Sequence, residues 1–198
     1  MTAIQTNWGY TVELAQGATS VPSIISVADF KKLCSGLSST DEEIQAALDV
    51  TSAAIRDYCG WHVAPNLQCD YIGEGEGRLL VLPAMGVTAV SSLEVEGAAV
   101  DSYEWTAAGM LRLVSSIFPD KWRSVECVYN AGFDAGAIGQ VVAQIASNAL
   151  AAAPGVANER AGNVSITYNQ TGVGITGGVS LLPRDYALLA PYKLARAR

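Results

Sequence analysis

The sequence predicts an α+β fold: a small helical bundle with an inserted antiparallel β module and an extended C-terminal segment. Helix signals occupy two stretches, at about 26–60 and at about 137–153. Between them, at about 67–129, short runs alternate apolar and polar residues, as half-buried strands do. Turn signals such as Glu96-Gly97 and Ala108-Gly109 separate these runs. Connections this short favour hairpins over crossover helices, so the module is predicted to be antiparallel.

The first helical stretch contains two helices with clear start and stop signals. Ser26 supplies an N-cap hydroxyl, and Asp29 places an acid in the first turn. Thr40 and Glu43 have the spacing of a capping box at the start of the second helix, and Gly60 follows its end. A single face of the second helix carries its regularly spaced core side chains: Ile44, Leu48, Thr51, Ile55 and Tyr58.

The remaining segments are less regular. Residues 1–25 look like an N-terminal arm with at most one strand. The helix at 137–153 carries Gln140, Gln144 and Asn148 as one polar stripe among many alanines, which suits a core helix or a subunit seam. Residues 164–168 alternate like a strand, a glycine-rich loop follows, and a short apolar segment at 186–192 precedes a basic tail at 193–198.

Composition and charge exclude several classes of protein. Half of the 198 residues are apolar and 16% are charged, which argues against disorder and for one domain with appendages or two small domains. The net charge of −7 gives no global nucleic-acid footprint, so DNA should pass by rather than bind. Residues 183–198 nevertheless carry four cations and one anion. This is either a solubilising tail or a basic peg that docks on an acidic partner.

No constellation of residues predicts catalysis, a cofactor or a metal. The four cysteines have no CxxC spacing, and the single histidine, His62, is interpreted as a structural loop residue beside Trp61. The loop at 73–78 lacks the ending of a phosphate-binding loop and reads as a hairpin turn, in which Glu74 and Glu76 would bind a cation only weakly. No apolar run has the length of a membrane span, and no signal peptide opens the chain. We therefore expect a protein that is not an enzyme, made in the cytoplasm, with no membrane partner.

Several segments in this order resemble the head–tail connectors (adaptors) of long-tailed bacteriophages. The opening helix pair, SVADFKKL at 26–33, DEEI at 41–44 and AAIRDYCG at 53–60, is similar to that of the family. So are LP at 82–83 with VTAV at 87–90, and VECVYNAGF at 125–133. ERAGNVSITY at 159–168, LLPRD at 181–185 and LLAPY at 188–192 complete the resemblance. It spans about 26–192, and its specificity lies in the order of the segments.

The resemblance implies a structural protein of the virion neck, made in the host cytoplasm. The family forms a homo-oligomeric ring, expected here to have about twelve copies, under the portal protein. Stopper or tail proteins dock on it, and double-stranded DNA only passes through. The implied organisation is an arm at 1–25, a connector-like domain at 26–192 and a basic tail at 193–198.

The C-terminal segment has the composition of a docking peptide, with apolar anchors inside a charged rim. We expect it to insert into the portal or a neighbouring subunit. The interface candidates are Arg184, Leu188, Leu189, Tyr192, Lys193 and Arg196.

Two other functions remain open at the level of sequence. One is a β-rich module that binds carbohydrate or protein through an exposed platform of Tyr71, Trp105 and Trp122. The other is an enzyme with carboxylate chemistry, which would need two acids in one cleft. The acids Asp41, Glu42 and Glu43 are explained by capping and the helix dipole in a first helical turn. Glu94 and Glu96 are explained by a solvent-facing strand, so this alternative ranks last.

Overall fold

The computed structural model describes residues 1–151, apart from the side chain of Ala137, and residues 181–194. It also gives the backbone of four short strands between these ranges. The chain divides into two compact units. The first contains Met1–Val21 and Gly60–Asp134, with the chain end from Leu194, and the second contains Pro22–Cys59 and Ala135–Lys193.

The first unit consists of two antiparallel sheets. Its strands are β1 (Thr2–Gln5), β2 (Tyr10–Leu14), β3 (Leu67–Gly73), β4 (Leu79–Val81), β5 (Val87–Val95), β6 (Ala98–Ala99), β7 (Tyr103–Trp105), β8 (Met110–Leu113) and β9 (Val125–Ala131). Six of them form a sheet in the order β1-β2-β3-β9-β5-β6. The other three form a smaller sheet in the order β4-β8-β7.

Alternation along the strands places one face of the large sheet in the core. In β9, Val125, Cys127, Tyr129 and Ala131 are buried, and Glu126 between them is exposed. The strand register aligns these buried residues across the sheet: Cys69 of β3 lies opposite Tyr129 of β9 on one side and opposite Val12 of β2 on the other. Apolar side chains aligned in such rows stabilise the sheet by cross-strand packing.

The second unit contains the helices. They are α1 (Val27–Leu33), α2 (Asp41–Cys59), α3 (Gly136–Ala151), α4 (Pro183–Leu189) and a 3₁₀ turn at Ala190–Tyr192. The predicted caps are confirmed: the Ser26 hydroxyl accepts the Asp29 N–H at 3.1 Å. Thr40 and Glu43 exchange two hydrogen bonds, of 2.9 and 3.3 Å, in a complete capping box. Two hairpins follow α3 in sequence, β10 (Asn158–Ala161) with β11 (Val164–Thr167) and β12 (Gln170–Gly172) with β13 (Ile175–Thr176).

Small side chains let α3 approach its neighbours closely. A Cβ atom on Gly139 would lie 2.9 Å from the Cγ2 atom of Ile25, and the Cys34 thiol lies 3.7 Å from the Ala143 carbonyl oxygen. Val142 and Ala146 are buried, whereas Gln140 and Gln144 of the predicted polar stripe are exposed. The predicted helix is therefore confirmed, with its alanine-rich face in the core.

The predicted helical bundle is wrong, although the α+β class is retained. In residues 1–151 and 181–194, nine strands in two sheets dominate the fold, beside four short helices. The N-terminal residues are the reason: the sequence suggested at most one strand there, but β1 and β2 form a hairpin, and β2 pairs with β3. The large sheet thus begins before the first helix. The predicted extended C-terminal segment is also wrong, since Pro183 fits the first turn of a helix and Asp185 caps it through the Leu182 N–H at 2.9 Å.

Candidate interaction surfaces

The single histidine has a structural role in the first unit. His62 is completely buried, and its Nε2 atom lies 2.9 Å from the carbonyl oxygen of Ala131. A carbonyl can only accept, so Nε2 carries the hydrogen and Nδ1 accepts from the Tyr10 hydroxyl at 2.7 Å. The Tyr10 oxygen in turn accepts the backbone N–H of His62 at 3.2 Å. The network fastens β2 and the end of β9 to the segment after α2.

Three of the four cysteines lie in apolar surroundings that suppress their reactivity. Burial raises the pKa of Cys59, Cys69 and Cys127 to about 12, because the thiolate loses its hydration in the core. Thiols with such pKa values are poor nucleophiles and poor metal ligands at neutral pH. Cys34 is half-buried and is the most accessible of the four thiols.

The C-terminal candidates occupy different environments in the second unit. The side chain of Leu188 is 54% exposed, whereas Leu189 is buried. Arg184 is exposed, with its Nε atom 3.5 Å from a carboxylate oxygen of the buried Asp185. Tyr192 is half-buried, and Arg196 lies outside the described residues. Helix geometry thus presents Leu188, and not Leu189, to a partner.

Two tyrosines and a lysine form a cluster at the C-terminal segment. The rings of Tyr58 and Tyr186 lie 4.8 Å apart, and the Tyr58 hydroxyl donates to the Tyr186 carbonyl at 3.4 Å. The ammonium of Lys193 lies 4.7 Å from the centre of the Tyr58 ring. Tyr186 itself is 41% exposed. This cluster combines aromatic and cationic surface, and tyrosine is among the residues enriched in interface hot spots.

A cleft with acidic walls lies in the first unit, and we call it the acidic cleft. It has a volume of about 1030 Å³. Its residues are Tyr71, Glu74, Gly75, Glu76, Gly77, Leu79, Val81, Phe118, Pro119, Asp120 and Lys121. Lys121 is paired with Glu96 at 2.8 Å, so its charge is already compensated. The residues that line the cleft therefore carry a net negative charge, and Arg123 lines the adjoining small pocket with Glu74.

Glycines in the loop after β3 shape this cleft. A Cβ atom on Gly75 would lie 2.4 Å from the Phe118 ring, and one on Gly73 would lie 2.0 Å from the Tyr71 hydroxyl oxygen. Only glycine allows both aromatic rings to lie against the loop backbone. The Phe118 N–H also donates to the Gly77 carbonyl at 2.6 Å. The loop predicted as a hairpin turn thus forms a wall against a buried aromatic residue.

The predicted aromatic platform is only partly assembled. Tyr71 and Trp122 line one small pocket of about 180 Å³ together with Ile72, Glu74 and Arg123, and Trp105 does not line it. Trp122 is 77% exposed, and Tyr71 is half-buried. Burial raises the pKa of the Tyr71 hydroxyl, although the backbone of Glu74 hydrogen-bonds to it and works in the opposite direction. Trp122 is therefore the most exposed of the three residues of the predicted platform.

The outer face of the small sheet is a further exposed surface. Leu79 and Val81 of β4 and Met110 of β8 are each more than 40% exposed, and Val81 lies directly opposite Met110. Arg112 and Glu104, opposite each other on β8 and β7, continue this face with charge. Leu79 and Val81 also belong to the acidic cleft, so the apolar face and the cleft are continuous.

Neither a metal site nor a membrane span occurs in the described part of the chain. No group of three or more His, Cys, Asp or Glu side chains there lies close enough to hold one metal ion. No helix among the described residues has both the length and the apolar character needed to cross a bilayer.

Sequence reasoning missed the acidic cleft because its two sides are distant in the chain. Glu74 and Glu76 were interpreted as turn residues that would bind a cation only weakly, and Phe118 stood in no motif. The alternation in β4, with Leu80 buried between exposed Leu79 and Val81, was the available signal of an uncovered apolar face.

Comparison with known proteins gives a shared fold. The chain matches no protein-family model and no curated protein sequence. Among solved structures, it is similar to a chain in the neck of an empty gene transfer agent particle computed with C6 symmetry, with a TM-score of 0.58 and 18% identity. It is also similar to chains in the neck of the native particle computed with C12 symmetry (TM-score 0.56, 17% identity) and in the native virion (TM-score 0.57, 18% identity). Each alignment covers 91% of this chain and 95% of the other. The resemblance to neck proteins is thus confirmed at the level of fold.

Proposed function

We propose that this chain is a structural protein of the neck of a phage-like particle, where it acts as a head–tail adaptor. The observation that carries the proposal is the shared fold, which extends over 91% of the chain and 95% of the neck chain. A match of this extent leaves little of either chain for a separate functional domain. The role is mechanical and requires no catalytic residue or cofactor.

In this role, copies of the chain form a closed ring between the portal protein and the stopper or tail proteins. The fold neighbours come from necks computed with six-fold and twelve-fold symmetry, which supports about twelve copies here. A ring needs a heterologous interface, in which one surface of a subunit meets a different surface of the next. The chain offers two surfaces of different chemistry for contacts within the neck, the C-terminal segment and the acidic cleft.

The electrostatics suit a ring through which DNA slides. The net charge of −7 repels the phosphate backbone, whereas a strongly basic lumen would hold DNA in place. Within the chain, cations are concentrated after Pro183. We therefore assign the basic residues after Pro183 to contacts with other proteins, and the acidic remainder of the chain to the lining of the DNA path.

We assign the contact with a neighbour in the neck to the C-terminal segment. Leu188 and Tyr186 are its exposed anchors, while Arg184 and Lys193 give it charge. Deleting everything from Arg184 would also remove the buried residues Asp185 and Leu189. Single exposed substitutions therefore test this contact more cleanly than truncation does.

The experiment is co-purification of the chain with the portal protein of its own particle. We expect the wild-type chain to be retained and Leu188→Glu to reduce its retention at least about tenfold, because a charge replaces an apolar anchor at the interface. Val50→Glu is the matched control, since Val50 is a 56% exposed apolar residue on α2. Failure of the wild-type chain to bind the portal would count against the adaptor role. Equal retention of the two variants would remove Leu188 from the contact.

A second candidate function is the β-rich binding module for carbohydrate or protein, which the 77% exposed Trp122 beside Tyr71 supports. Binding of glycans, measured by isothermal titration calorimetry and abolished by Trp122→Ala, would favour it. No glycan-dependent change would leave the adaptor role as the better account.

A further inference from the structure

We propose that the acidic cleft binds the basic C-terminal tip, Leu194–Arg198, of a second copy of this chain. The inference rests on the proposed ring and names a contact that would close it. Lys193 lies over the Tyr58 ring and anchors the C-terminal segment to its own subunit. The residues after it, Leu-Ala-Arg-Ala-Arg, carry two guanidinium groups and one large apolar side chain.

Charge complementarity selects this occupant. The cleft presents Glu74, Glu76 and Asp120, and its one lysine is paired with Glu96. Arg196 and Arg198 match these acids in sign, and guanidinium groups bind carboxylates with two parallel hydrogen bonds. Glu74 and Glu76 lie on one loop and Asp120 on another, so a ligand with spaced cations fits them better than a single ion.

Spacing supports the same occupant. Arg196 and Arg198 are two residues apart, so in an extended peptide both side chains lie on one face, about 6–7 Å apart. Glu74 and Glu76 are also two residues apart and alternate with glycines that offer no steric barrier to the peptide. One arginine can thus meet each glutamate, while Asp120 contributes from the opposite wall.

The apolar part of the cleft can bind the side chain of Leu194. Leu79 and Val81 are 42% and 56% exposed where they line the cleft, and the nearly buried Phe118 ring lies below them. A volume of about 1030 Å³ is at the upper end for small-ligand pockets, and a short peptide segment needs this room. Covering Leu79 and Val81 would remove apolar surface that the isolated chain exposes to water.

A second copy of this chain is the favoured source of the tip, because each subunit of a ring binds the next through two different surfaces. A basic tip and an acidic cleft are different surfaces, and their pairing between copies repeats head to tail until the ring closes. The tip continues from the same C-terminal segment that carries the exposed Leu188 and Tyr186. In this arrangement the segment that carries the portal contact also ends in the contact with the next copy.

The test is fluorescence anisotropy with a labelled synthetic peptide of residues 190–198. The receptor is the full chain carrying Arg196→Glu and Arg198→Glu, so that its own tip cannot compete for the cleft. We expect saturable binding that weakens as salt rises, because the contacts are between exposed charges. Adding Glu74→Gln and Glu76→Gln to the receptor should lower the affinity at least about tenfold, by removing charge-assisted hydrogen bonds.

The matched control adds Glu42→Gln and Asp57→Asn, which remove the same charge from exposed positions on α2. This receptor should bind the peptide within about twofold of the parent affinity, a difference well below one tenfold step. Absence of peptide binding, or an equal loss in both receptors, would overturn the inference. Portal co-purification of the wild-type chain together with a failed peptide assay would overturn this contact and leave the adaptor role intact. Peptide binding at the cleft without portal binding would support this contact and count against the adaptor role.

Discussion

Removing one hydroxyl from the core of the first unit should destabilise it measurably. Tyr10→Phe keeps the ring that packs in the sheet but takes away the oxygen that serves two atoms of His62. The Nδ1 atom loses its donor at 2.7 Å, and the backbone N–H loses its acceptor at 3.2 Å. Both residues are almost fully buried, so water does not readily replace the lost partner.

The magnitude follows from the desolvation of these two groups. A buried polar group that loses its hydrogen-bond partner destabilises the native state by about 1–3 kcal/mol. Because relaxation will recover part of the loss, we expect the free energy of unfolding to fall by about 2 kcal/mol in total. With a urea m-value of about 2 kcal/mol per M, the midpoint should fall by about 1 M.

The assay is urea unfolding followed by tryptophan fluorescence, since the buried Trp61 ring lies 5.2 Å from His62 and reports on this region. Tyr103→Phe is the control: it removes a hydroxyl from the same unit outside this network, and we expect a change below about 0.5 kcal/mol. Equal midpoints for the two variants would refute the reasoning that the Tyr10–His62 contact fastens β2 to the end of β9.

Three further predictions concern the helix cap, a turn and the thiols. Thr40→Ala should lower the free energy of unfolding by about 1 kcal/mol in urea titrations through loss of the capping box, and no change would contradict that role. Gly109→Ala should destabilise more than Gly97→Ala: both have positive φ, but a Cβ atom on Gly109 would lie 2.2 Å from the Ala84 carbonyl oxygen, whereas one on Gly97 meets nothing within 4 Å. In the native protein at pH 8, iodoacetamide should alkylate Cys34 first, as peptide mass mapping would show; faster labelling of another cysteine would contradict the burial. Burial raises the pKa of the other three thiols to about 12 in the folded protein, from about 9 when they are exposed. The stability that these thiols contribute is therefore fully present below pH 9. Between pH 9 and pH 12 the free energy of unfolding should fall by up to about 1.4 kcal/mol per pH unit for each thiol, because only the unfolded chain loses the proton.

Local signals allowed much of the fold to be predicted. Ser26, Thr40 and Glu43 cap helices as expected, because capping depends on residues within one turn. The strands at 103–105 and 110–113 also follow their alternation and intervening turn. These features are decided by neighbours in the chain, so a single sequence contains them.

Features that depend on distant pairing were not predictable in the same way. The hairpin of β1 and β2 is stabilised by β3, more than fifty residues later, so the first residues looked like an arm. The acidic cleft likewise combines the loop after β3 with Phe118 and Asp120. The burial of Leu189 beside the exposed Leu188 became clear only once 183–189 was known to be a helix.

The most direct test of the adaptor role is cryo-electron microscopy of the particle that contains this chain, with the neck reconstructed under the symmetry of its portal. The account predicts density for this two-sheet fold in a closed ring of about twelve copies between the portal and the tail proteins. A neck whose density is filled entirely by other chains, with this fold absent between portal and tail, would contradict it.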